Sequence, residues 1–520
     1  MGSSQSTPRA APAPSLREKA PAAPAAPAAP AAPARRAEPT TEELVEALSF
    51  DLDLSAPSGA IALGDVASWQ SEIEKDPKLS LSRTILTKSD PSATLLKPTA
   101  KVYDAHVYNT QLDFKAGPIT SQLASGRCWM FATTNVLRYT IMKKLNLEDF
   151  QLSQSYFFFY DKLEKSNFYL ENMLELADEP LDSRLVSFLN VAPINDGGQW
   201  DMAVNILEKY GVVPQAVFPE SFSSSNSRPM DTLLTTKLRE YGLSLREQSA
   251  QLTAALEARG VPTEARKAVV YRALEKTKTG YMQEVWTILS VALGIPPKAD
   301  EAFKWEYYDK AGHAKSFTGS PREFYKQLAV TPYDPSTAFS IVNDPRNKYD
   351  ALFSVDRLGN VWGARPVLYV NTPINRLKDA VVKSIRANTP VFFGCDVGKS
   401  SDRDLGIMDC GIYDYENAFN ITLGLTKAQR MQLGESAMTH AMVITAVHIE
   451  NGKPVRYKVE NSWGTAVGDK GFFVMTDSWF DEFVYQVVVP KALADSDLVA
   501  IFEKGEKNMY PAWDPMGALA

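Results

Sequence analysis

The segment HAMVITAVHIENGKPVRYKVENSWG, residues 440–464, has one ready way to pair with itself. Two alternating runs flank Asn451-Gly452, the dipeptide best suited to a two-residue hairpin turn because both central residues must take positive φ. With that loop, Met442 stands opposite Asn461 and His440 opposite Trp463, so His440, Asn461 and Trp463 share one face of the sheet. His440 and Asn461 are then diagonal neighbours about 7–8 Å apart along the backbone, close enough for an amide oxygen to reach an imidazole nitrogen. A bulge in either strand would upset this register.

An oriented imidazole invites a search for its partner, and the chain offers few. The other histidines, His106, His313 and His448, lack any prepared context and read as structural or surface residues. Of three cysteines, Cys395 ends the apolar run VFFGC and reads as core, while Cys410 in MDCGIY has no base signal beside it. Cys128, in QLASGRCWMFATTNVLRYT, is placed differently. Ser125 and Gly126 break the chain, and Met130, Thr134, Leu137, Ile141 and Leu145 then recur at helical spacing. Cys128 therefore sits in the first turn, where unpaired N–H groups and the helix dipole favour a thiolate. Six residues earlier, the amide of Gln122 and the N–H of Cys128 can donate together to an oxyanion. Cys128, His440 and Asn461 read as nucleophile, base and orienting residue, with Trp463 shielding the His440–Asn461 bond.

Three cysteines make neither a disulfide framework nor a zinc cluster, so a reducing compartment is expected, with no metal and no cofactor. The net charge of −7 argues against a general polyanion binder, and no basic stripe supports nucleic-acid binding. No apolar run is long enough to suggest a membrane span.

Together, QLASGRCWMFA, HAMVITAV and ENSWGTAVGDKGFF resemble the three motifs of papain-like cysteine peptidases. NDGGQWDM and the ending PAWDPMGALA resemble the bleomycin hydrolase branch, and the likeness spans residues 60 to 520. It implies an α+β papain-like fold: a helical subdomain bearing the cysteine helix, packed on a β-barrel-like subdomain, with a helical insertion. It also implies oxyanion, nucleophile, base and orienting roles for Gln122, Cys128, His440 and Asn461, and backbone contacts to an extended peptide from Gly197 and Gly198. The insertion resembles elements that build a homohexameric ring. In that branch the C-terminal arm enters the cleft, which would set the carboxylate of Ala520 against a substrate's free α-ammonium. Substrates implied are peptides with a free N-terminus, bleomycin's amide and homocysteine thiolactone.

The rest of the chain is legible in coarse blocks. Residues 1–39 are an Ala/Pro-rich arm expected to be disordered, opening MGSSQS, which fits an N-myristoylation pattern at Gly2. Its arginines also fit mitochondrial targeting, beside the cytoplasmic placement implied by the resemblance. Thr40 and Glu43 have capping-box spacing. Residues 40–228 read as mainly helical, 229–300 as the helical insertion in three helix-length stretches, 301–500 as β-rich and 501–520 as the terminal arm. Two other readings stand beside the aminopeptidase: an endopeptidase or acyltransferase using the same thiol, and a ring-forming scaffold without activity.

Overall fold

A computed structural model describes residues 40–43, 59–330 and 333–519; the Ala/Pro arm, Gly2 and Ala520 lie outside them. The chain divides into two units. The smaller takes residues up to Thr84 together with Tyr415–Leu423. Its capping box forms as the spacing predicts: Glu43 N–H donates to Thr40 Oγ1 at 3.2 Å, and Thr40 N–H to Glu43 Oε2 at 2.7 Å. Its helix Leu63–Lys75 has no buried residue.

The larger unit joins a helical layer to a twelve-stranded sheet. Helix α1 runs Cys128–Leu145 and is buried on all sides from Cys128 to Met142. The stripe read from sequence understates this, because α1 packs on helices to one side and on the sheet to the other. Helix α2, Gln154–Glu175, starts at Ser153, whose hydroxyl accepts from Tyr156 N–H. Helix α3, Trp200–Tyr210, stops at Gly211 with φ 73°. A Cβ there would stand 2.2 Å from the Pro321 carbonyl oxygen, so glycine is required twice over.

Helices α4, Arg228–Ala258, and α5, Thr263–Leu293, form a long hairpin. Two of the stretches expected as separate helices are continuous in α5, straight through Gly280. That glycine costs about 1 kcal/mol; Glu171 of α2, bonded to both Tyr271 and Lys278, and Tyr241 of α4, stacked on Tyr281 at 4.2 Å, hold its two sides. No helix among the described residues is long and apolar enough to cross a membrane.

Seven runs expected to be extended are strands: β2 Ala351–Val355, β3 Tyr369–Asn371, β4 Val391–Cys395, β5 His440–Glu450, β6 Lys453–Glu460, β7 Phe472–Thr476 and β8 Val484–Pro490. With β1, Ala338–Val342, and β9, Lys507–Tyr510, they order as β9-β2-β3-β1-β8-β4-β5-β6-β7. The β5–β6 hairpin turns at Asn451-Gly452, both at positive φ. It contains two irregularities: Thr445 is an extra residue in β5 and Val455 an extra residue in β6. Lying on opposite strands, they cancel. Val443 therefore pairs with Glu460, which restores the register that sets Asn461 beyond Met442.

Candidate active site

Loop 117–127 and the end of β6 assemble the site by local backbone pairing. Gln122 N–H donates to the Ser462 carbonyl at 2.8 Å, Gly464 N–H to the Thr120 carbonyl at 3.0 Å, and Ser121 bridges Trp463. These bonds tie the segment before α1 to the segment after β6. Leu123, next in line, holds φ 51° and is exposed, which turns the chain sharply toward Cys128.

Cys128 is the first residue of α1 and is 2% exposed. The N–H of Ala441, directly after His440, faces its sulfur. Burial pushes the thiol up to about 12, against the pull of the N–H groups of Ala441, Trp129 and Cys128. Desolvation in this buried turn therefore opposes the thiolate that the helix start favours.

His440 begins β5, 4% exposed, and burial pushes its imidazole down to about 4. Its Nε2 lies 2.9 Å from Asn461 Oδ1. That oxygen also accepts the Ser462 N–H at 2.7 Å, and a backbone N–H only donates, so the amide is fixed with its oxygen toward the ring. Nε2 must then carry the hydrogen, leaving Nδ1 as the basic nitrogen. Trp463 lies over the ring, centroids 4.8 Å apart, as the shared face predicts.

Gln122 is oriented by a residue the sequence reading passed over. Ser462 Oγ donates to Gln122 Oε1 at 2.7 Å, which turns the amide nitrogen toward Ser125, whose carbonyl accepts at 2.6 Å. One hydrogen on Nε2 stays available. The signal was present in the quoted ENSWG, where Ser462 follows Asn461.

Gly197 and Gly198 are held against the start of α1 and against α2. A Cβ on Gly198 would stand 2.4 Å from the Trp129 ring, so only glycine fits between that ring and the chain. The Gly197 carbonyl accepts from Lys165 Nζ at 2.6 Å. Beneath them lies a buried ionic group that sequence did not indicate. Lys162 pairs with Asp196 and Asp231, both at 2.7 Å, and Asp196 accepts the Gly126 N–H at 2.8 Å. The loop carrying Cys128 is thereby pinned from below.

Gly197 also borders a cleft of about 410 Å³ that includes Leu519. The C-terminal arm reaches it as a built element. After β9 pairs with β2, Trp513 stacks under Arg184 at 4.0 Å, Asp514 pairs with Arg346 at 2.8 Å and Met516 is buried. Gln199 Nε2 then donates to the Ala518 carbonyl at 2.8 Å. Elsewhere His313 and His448 bond to Asp309 and Glu450, and Cys395 is in the sheet core. Among the described residues, no group of three or more His, Cys, Asp or Glu is placed to hold a metal.

A cysteine-headed helix packed on a sheet that presents a histidine and an asparagine defines the papain-like α+β fold, and with it a cysteine-type peptidase. Comparison with known proteins then narrows the class. The profile described as "Peptidase C1-like family" matches residues 60–517. Over 464 residues the chain is 41% identical to bleomycin hydrolase from Homo sapiens, covering 88% of this chain and 98% of that protein. It is 39% identical over 474 residues to "Cysteine proteinase 1, mitochondrial" from Saccharomyces cerevisiae, covering 90% and 94%. The crystal structure of PepW from Lactobacillus rhamnosis HN001 matches with a TM-score of 0.81 at 39% identity, over 89% of this chain and all 100% of that one. The chain belongs to the Peptidase C1-like family, in its bleomycin hydrolase branch.

Proposed function

We propose that this peptidase removes N-terminal residues from peptides through a thioester on Cys128. The His440 Nδ1 takes the thiol proton as the sulfur attacks the scissile carbonyl carbon. Gln122 Nε2 and the Cys128 N–H donate to the oxyanion. The C–N bond breaks as the imidazolium returns its proton to the leaving amine, and water, deprotonated by the same nitrogen, releases the acid and restores the thiol. Asn461 holds the ring throughout, and Gly197 and Gly198 offer backbone to the extended substrate.

The observation that supports the aminopeptidase reading is the Gln199–Ala518 bond, which ties the C-terminal arm to the residue that follows Gly198, the glycine packed on Trp129. Ala520 follows within one residue of Leu519, and its carboxylate would pair with the substrate's α-ammonium while its bulk blocks residues upstream. Bleomycin amide and homocysteine thiolactone, amine-bearing acyl compounds, suit the same carboxylate. A homohexameric ring, a cytoplasmic location and an N-terminal arm serving mitochondrial targeting or myristoylation complete the proposal.

Two amides test the gate, one with a free α-amine and one N-acetylated. The full chain is expected to cleave only the first, and a chain lacking Leu519 and Ala520 to cleave both. Equal cleavage by the intact chain removes the tail from the mechanism.

The acid limb of kcat/KM tests the base. Below the imidazole's own pKa, Nδ1 already carries a proton and cannot accept one from sulfur, so activity is full above that value and lost below it. The limb is expected near pH 4. A limb near the ordinary histidine value of about 6.5 would mean that His440 is solvated or is not the base.

A further inference from the structure

On the far side of the cysteine helix a second cleft, of about 310 Å³, opens between α1 and the β5–β6 hairpin, lined among others by Lys115, Asn135, Val443, Thr445, Lys458 and Glu460. Its polar groups are left incomplete. Asn135 is 4% exposed, and its Nδ2 donates to Thr120 Oγ1 at 3.0 Å while Oδ1 has no partner. Thr445, the extra residue of β5, also lines the cleft and carries a buried hydroxyl with no partner. A buried polar atom without a partner gains a hydrogen bond from any matching group brought to it.

The lining charges are unevenly paired: the carboxylates Asp113 and Glu460 are held by Lys143 and Arg138, while the two lysines are not held by either. Lys115 and Lys458 repel each other, and among the described residues neither has a carboxylate at ion-pair distance; Asp469 and Glu460 act on Lys458 only from farther away. Lys458 Nζ rests 4.2 Å over the Phe472 ring, which also lines the cleft. The complement of this surface is a carboxylate at the lysines, an N–H donor at Asn135 and Glu460, and an apolar body between. The volume lies at the lower end of the roughly 300–1,000 Å³ of ligand sites, suited to one residue rather than a peptide.

We propose that this cleft binds a free L-α-amino acid. Its carboxylate bridges Lys115 and Lys458, its ammonium meets Asn135 Oδ1 and the Glu460 carboxylate, and its side chain lies on Val443 and Phe472. Glu460 is held by Arg138 of α1 at 2.6 Å and directly precedes Asn461. An ammonium competing for that carboxylate loosens the tie between the helix bearing Cys128 and the strand end bearing Asn461, so binding lowers kcat. That the ligand is the residue the enzyme itself releases, giving feedback inhibition, rests on the aminopeptidase reading; the binding does not.

The test is inhibition of the full chain by L-leucine, with 4-methylpentanoate, lacking the amine, and L-leucinol, lacking the carboxylate, as controls. Leucine is expected to lower kcat with KM unchanged, and each control to be at least ten-fold weaker. Lys115→Met/Lys458→Met is expected to keep basal kcat/KM and to need at least ten-fold more leucine; Lys115→Gln, at an exposed position, replaces it if the double variant fails to fold. A rise in KM alone, unchanged inhibition in the lysine variant, or no inhibition would overturn the proposal. If the chain proves not to be an aminopeptidase, calorimetric titration of leucine into Cys128→Ala, with and without the lysine substitutions, decides the site independently: binding that depends on the lysines upholds it, and no such binding overturns it.

Discussion

Cys128→Ala is expected to lower kcat/KM by at least about 10⁴-fold, because it deletes the group that forms the acyl bond while leaving the oxyanion donors in place. The other thiols cannot substitute. Cys395 has no exposed surface and sits in the sheet core, and Cys410 has neither an imidazole nor a helix start beside it. The fold should survive, since removing one small buried sulfur costs about 1 kcal/mol. Turnover by the purified variant, with its urea midpoint measured alongside, checks both halves. Retention of more than a tenth of the activity in a folded variant would remove Cys128 from the chemistry.

The residues that bear on this experiment were legible because they fall in three short motifs whose local geometry the chain dictates. Asn451-Gly452 fixes the hairpin, and the hairpin sets His440 beside Asn461. Even here the sequence concealed something: Thr445 and Val455 both break the ladder, and the register at Val443–Glu460 is right because the breaks offset one another. Alternating patterns do not mark a bulge residue, so only the turn and the far end could be read.

The parts that stayed hidden depend on long-range neighbours. Helix α1 carries Arg138 and Asn135 among its apolar residues, and their burial depends on the sheet laid against them, which the local pattern does not encode. Lys162 and Lys165 on α2 would pass for an exposed face, yet each is buried against carboxylates or carbonyls. The thiol illustrates the same limit. Helix position argues for a thiolate, while burial, which sequence does not measure, pushes the thiol the other way.

Arg138 gives the second large effect. It is 1% exposed, donates to Glu460 at 2.6 Å and also to the Pro118 carbonyl at 2.6 Å, so it joins α1, the loop before it and the end of β6 in one contact. Arg138→Met leaves a buried carboxylate without its cation and is expected to cost about 3–5 kcal/mol in urea unfolding. Adding Glu460→Leu removes that stranded charge, so the double variant should recover most of the stability, since an apolar pair of similar volume often replaces a buried ion pair without loss. Activity should respond differently. With the ion pair gone, the strand end that bears Asn461 loses its polar tie to α1, and kcat is expected to stay low in the double variant while KM changes little. Recovery of both stability and kcat would mean that packing alone aligns the two halves of the site; a single variant costing less than about 1 kcal/mol would mean that Glu460 finds solvent or another cation.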